Sequence, residues 1–157
     1  DPSGRAIITD TAIVDMIQES LTSSSGCLYP YRDLTRDETD FDGIVSALSL
    51  YWAAVRDTFP DAWGKPPGRS RLMHGAGIRA MGKVMDRILG TIDLRQPDAP
   101  EVVRKHLALL SPHCHWTSGV WDEIGMRWNE IQNLKGHMHA LSSYLIRVYL
   151  DARVTLR

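Results

Sequence analysis

A chain of 157 residues with 43% hydrophobic and 24% charged side chains has the make-up of one ordinary globular domain, long enough to bury about two-thirds of its unfolded surface. Two cysteines are too few for a disulfide framework and fit a reducing compartment, no apolar run reaches the ~20 residues of a membrane span, and no basic-then-apolar leader opens the chain. The reading is a cytoplasmic protein with no membrane partner. Its net charge of −1 hides an asymmetry: residues 1–42 carry nine acidic side chains against Arg5, Arg32 and Arg36, a local −6 that leaves +5 for residues 43–157.

The chain begins Asp1-Pro2-Ser3-Gly4 without an initiating Met, which predicts the C-terminal piece of a longer protein, here a single helical domain over 1–157. Residues 1–41 read as a leading helix followed by an irregular acidic segment. Arg5 to Ile8 suit an extended stretch, and Thr9 or Asp10 can cap a helix whose apolar stripe is Ala12, Ile13, Met16, Ile17, Ser20 and Leu21. The Ser23–Gly26 run ends it. From Cys27 to Asp42 no period is legible.

Two strongly patterned segments follow, and they predict a central helix pair. Ile44, Val45, Leu48, Tyr51, Trp52, Val55 and Phe59 share one helical face, and so do Met73, Gly77, Ala80, Met81, Val84, Met85 and Ile88. Pro60 and Pro66-Pro67-Gly68 break the chain between them, because proline lacks the N–H and clashes with the preceding turn; Trp63 in that corner is expected to dock back. Gln96 to Glu101 reads as a helix start, with Asp98 as cap, Pro100 early and Glu101 placed for a capping box. That helix carries Val102, Val103, His106, Leu107 and Leu110 and stops at Ser111-Pro112. His113 to Gly119 reads as a loop, Val120 to Gly125 as a short helical turn. From Ile131, the residues Leu134, Met138, Leu141, Leu145 and Val148 form the seam of a terminal helix starting near Asn133 or Gly136. The prediction is an all-α domain of five to six helices.

Three phrases carry a resemblance: Ala53-Ala-Val-Arg-Asp-Thr-Phe-Pro-Asp-Ala-Trp63, Leu72-Met-His-Gly-Ala-Gly-Ile78 and Arg127-Trp-Asn-Glu-Ile-Gln-Asn133. Together they make residues 42–150 similar to the C-terminal half of DGQHR-domain proteins, such as the B-type regulators of DNA phosphorothioation clusters. The name-giving Asp-Gly-Gln-His-Arg segment is absent from this chain. The resemblance implies a DNA-associated protein, regulatory or defence-linked, whose naming segment lies in a missing N-terminal half. It transfers no catalytic or base-reading residue.

The residues themselves offer a basic surface that suits such a role. Arg79, Lys83 and Arg87 recur every four residues and form one stripe, with Lys65, Arg69 and Arg71 just before it. Phosphates are contacted by guanidinium and ammonium groups gathered on one exposed face. The expectation is a non-catalytic module that binds nucleic acid through these six residues. One alternative is a structural module that presents the missing half or forms a homo-oligomer. Another is enzymatic: Arg69 and His74 match the R-x4-H spacing of HEPN-type ribonucleases, whose arginine and histidine act on a cleaved phosphate.

Other constellations carry less. His113 and His115 flank Cys114, and His137 and His139 lie on a helix where residues two apart point in nearly opposite directions. No carboxylate or second cysteine stands at a ligand spacing, so no metal site and no cofactor is assigned. Cys27 and Cys114 read as structural thiols. Trp52 and Trp63 read as packing residues, and Trp116, Trp121 and Trp128 as the fastening of the last helix.

Overall fold

The computed structural model describes residues 10–33 and 38–156. Five helices carry the architecture: α1 (Asp10–Thr22), α2 (Phe41–Thr58), α3 (Gly75–Leu89), α4 (Ala99–Leu110) and α5 (Lys135–Ala152). Two antiparallel ladders of two residues each complete it, β1 (Arg32–Asp33) with β2 (Glu38–Thr39) and β3 (Val120–Trp121) with β4 (Met126–Arg127). The domain is all-α, as the periodicity predicts. No helix among the described residues is long and apolar enough to cross a membrane.

Local chemistry sets the helix ends. The Asp40 carboxylate accepts the Gly43 N–H at 2.9 Å and opens α2. At the other end Phe59 precedes Pro60, and the 59–70 corner follows. His74 opens α3 through its ring nitrogen Nδ1, which accepts the Ala76 N–H at 3.2 Å. Asp98 stands at the start of α4, but its side chain makes no cap; its backbone carbonyl accepts from Glu101 and Val102 instead. The expected capping box is therefore not formed. The expected extended Arg5–Ile8 and the Thr9 cap lie outside the described residues.

Helix α3 is the hub. Ten of its fifteen residues are buried, from Ala76 round to Leu89, and a helix buried on most of its sides must sit in the middle of a bundle. α1 and α5 pack along it, while α2 leans more on α4 than on α3. The expected central pair is thus a wider arrangement, in which α2 reaches α3 chiefly through Tyr51. That fully buried side chain donates its hydroxyl to the Met81 carbonyl at 2.6 Å. Glycine permits the closest approaches: a Cβ on Gly82 would stand 2.4 Å from Met16 Cγ of α1, and one on Gly77 only 1.9 Å from the Arg71 carbonyl.

Two expectations are corrected. The buried face of α2 is Ile44, Ala47, Tyr51, Ala54 and Val55, with Leu48 and Trp52 only half-buried and Val45 60% exposed. Ala47 and Ala54 are the reason, since small side chains let a neighbouring helix come close and so turn the face toward it. The Val120–Gly125 segment is not a helical turn but the first arm and bend of the β3–β4 hairpin, with Gly119 and Gly125 at φ +87° and +74°. Trp121 is pinned beneath it against Trp116 and Tyr144, at ring-centroid distances of 5.2 and 5.9 Å. Together with an ion pair between Glu123 and Arg147, this fastens the hairpin to α5. Trp63 docks back onto the core from its corner as expected.

Candidate nucleic-acid interface between α3 and α5

The six basic residues do not form one surface. Lys65 and Arg69 are exposed in the 59–70 corner and Arg87 is exposed on α3. Arg71 is the exception, at 8% exposure. Its Nη1 donates to the Pro67 carbonyl at 2.6 Å and its Nη2 to the Asn129 carbonyl at 2.7 Å, with Trp128 beneath the guanidinium at 6.0 Å. Burial pulls its pKa down from the ordinary arginine value. A side chain held this way cannot reach a phosphate, so Arg71 leaves the candidate set and becomes a strut between the corner and the Trp128–Glu130 turn that follows the hairpin.

Arg79 and Lys83 stay together, but not as a bare solvated stripe. Glu19 of α1 takes the Arg79 Nη2 on one carboxylate oxygen and lies 3.5 Å from Lys83 Nζ with the other. Arg79 Nη1 points at the Met138 sulfur of α5 at 3.2 Å. These contacts border a groove of about 400 Å³ whose opposite wall is α5, contributing Lys135 and His139. Three permanent cations, Arg79, Lys83 and Lys135, therefore face one carboxylate. The Lys83 and Lys135 ammonium groups keep solvent access, and the surplus charge is positive. Spacing within α3 disclosed two of these residues; Glu19 and Lys135 were missed because they lie on other helices.

The alternative pair separates by environment. His74 serves α3 as its cap. Burial, and then the nearby Arg71 charge, lower its pKa from 6.5, so the ring is neutral at physiological pH. Arg69 extends into solvent.

The remaining histidines scatter. His115 packs its ring on Trp121 at 5.3 Å, His137 accepts the Gln132 N–H at 3.0 Å, and His113 is exposed. Among the described residues no three His, Cys, Asp or Glu side chains gather closely enough to hold a metal ion. Burial, reinforced by Asp86, pushes the Cys27 thiol up to about 12, and burial pushes Cys114 higher still. Neither is an activated nucleophile.

The second and third phrases behind the resemblance meet in space. The Ala53–Trp63 stretch ends α2 and enters the corner, Leu72–Ile78 opens α3, and Arg127–Asn133 leads into α5. A Cβ on Gly75 would stand 3.2 Å from Asn133 Nδ2, and Arg71, just before the second phrase, is bonded to Asn129 in the third. No family model matches the chain, and no curated protein or solved structure does either.

Proposed function

We propose that this chain is a non-catalytic helical module of a DGQHR-like, DNA-associated protein, and that it takes nucleic-acid phosphates at the α3–α5 groove. The observation that carries the reading is the convergence of Arg79, Lys83 and Lys135 on one groove, with Glu19 the one carboxylate among the described residues that line it. Glu19 fixes the Arg79 guanidinium in place, which lowers the ordering cost of a further contact. Arg87, one turn beyond Lys83, extends the basic track, and Lys65 and Arg69 are further exposed cations. Such contacts position a duplex without reading its bases.

The test uses Lys83→Gln, Arg87→Gln and Lys135→Gln together, which removes the three charges without setting a new carboxylate beside Glu19. The fold should survive, because exposed substitutions cost about half a kcal/mol each. Three lost phosphate contacts should flatten the salt dependence of log K by about 2.7 on duplex DNA, to a similar extent for every sequence. Absence of DNA binding by the unaltered chain at low salt, or an unchanged slope in the variant, would refute the reading.

A further inference from the structure

Helix α2 carries a face that the described residues leave largely open, with only Trp52 packed partly against the core. Asp42, Val45, Ser49, Trp52 and Arg56 follow one another in steps of three and four, so they line a single seam along the helix. Four of the five are exposed and Trp52 is half-buried; the face packed into the core is a different one. Beside the seam runs an apolar groove of about 310 Å³ between α1 and α2, bordered by Ile13 and Ile17 on one side and Leu48 and Trp52 on the other.

The order of chemistry along the seam is acid, apolar, small, apolar, base, with Asp42 and Arg56 seven residues either side of Ser49 and Val45 and Trp52 four and three residues from it. An antiparallel pair brings the opposite charges together at both ends. Crossed antiparallel at Ser49, two copies of α2 set Asp42 of each against Arg56 of the other and Val45 of each against Trp52 of the other. A parallel pair would oppose acid to acid and base to base. Serine at the crossing point lets the helix axes approach. Arg56 is equipped for a second carboxylate: among the described residues it engages Asp57 through its Nε, at 3.1 Å, and 55% of its side chain is exposed. Asp57 in turn faces Arg104 at 3.9 Å, so its charge is shared and opposes Asp42 little.

We propose that α2 is a homodimer interface, on which a second copy of this chain docks antiparallel about Ser49. A two-fold interface must be self-complementary in this way, because each residue meets its counterpart's partner twice. The proposal is independent of the phosphate groove, which lies on α3 and α5.

Sedimentation of the whole chain over a micromolar concentration series tests it. The unaltered chain should pass from monomer to dimer. Asp42→Arg and Arg56→Asp should each weaken self-association about tenfold or more, since each places like charges together twice. Mixing the two variants should restore association as a one-to-one heterodimer, because the basic seam of one then faces the acidic seam of the other. The double variant should dimerise as the original does. Circular dichroism checks that each variant is folded; should one fail, Val45→Asp takes its place and must also weaken the dimer. A chain that stays monomeric throughout, variants that dimerise unchanged, or a mixture that forms no heterodimer would each overturn the proposal.

Discussion

Glu19 of α1 closes on Arg79 of α3, and its second carboxylate oxygen reaches toward Lys83. If the groove takes phosphate as proposed, the carboxylate both orders Arg79 and competes with the incoming anion, and these two effects oppose each other. Glu19→Gln should lower stability only slightly, because partly exposed pairs contribute about 0–1 kcal/mol. The same change removes one negative charge from the groove. DNA affinity at low salt should rise, and the salt dependence of log K should steepen by up to about 0.9, one further counterion. Titrations over a salt series, beside a thermal melt, separate the two effects. A fall in both affinity and stability would show that the groove needs Glu19 to hold its shape and does not take phosphate there.

The turned face of α2 makes a second prediction. Leu145 on α5 is fully buried, so Leu145→Ala should cost about 2–5 kcal/mol by leaving a cavity. Leu48, half-buried on the α1 side of α2, should cost less, under about 2 kcal/mol, when cut to alanine. Tyr51→Phe keeps the ring and removes one buried hydrogen bond to Met81, for a loss of about 1 kcal/mol. Urea unfolding gives all three values. Equal losses at Leu48 and Leu145 would mean that α2 presents Leu48 to the core.

Much of this architecture is legible in the chain. The α3 pattern, with Gly77 and Ala80 among large apolar residues, already describes a helix closely packed on several sides, and Pro112 marks the end of α4. What sequence conceals has physical causes. Ala47 and Ala54 carry little hydropathy, so by hydropathy the stripe centres on Val45, Leu48 and Trp52 although packing follows the small residues. A two-residue strand has no period to detect, which leaves the β3–β4 hairpin looking like a turn. Arg71 sits in a Pro/Gly corner among exposed cations and reads as surface, since charged residues are seldom fully buried. Its two carbonyl partners, one of them 58 residues away, give no local signal. The groove is assembled from α1, α3 and α5, and Glu19 lies 60 residues from Arg79, so periodicity within one helix recovers only its α3 wall.

Arg71 supports a third prediction. Arg71→Met deletes both donors and leaves the Pro67 and Asn129 carbonyls without them, at a cost of about 1–3 kcal/mol. Arg71→Lys should also destabilise, because one ammonium cannot reproduce the planar fork that spans two carbonyls. Neither change should alter the salt dependence of DNA binding by the folded protein. A weaker salt slope in Arg71→Lys, with stability unchanged, would return Arg71 to the phosphate-binding set.

The last prediction concerns pH. His74 and His106 both have pKa values held below 6.5 in the folded chain, each by burial first and then by a nearby arginine, Arg71 and Arg153 respectively. His106 also shares a 2.7 Å hydrogen bond with the hydroxyl of Tyr149. Above pH 6.5 these rings are neutral in both folded and unfolded chains, and their contribution to stability is fully present. As pH falls through 6.5 the unfolded chain takes up protons first, so stability declines until the folded pKa values are reached and then levels off. Chemical denaturation between pH 8 and pH 5 should therefore show stability falling with acidity. His74→Asn isolates one share of the effect, because asparagine is itself a good helix cap that does not titrate. That variant should match the original near pH 8 and lose less stability on acidification. If it loses as much, His74 does not contribute to the pH dependence; if stability rises toward pH 5, the protonated rings are favoured by folding and both assignments fail.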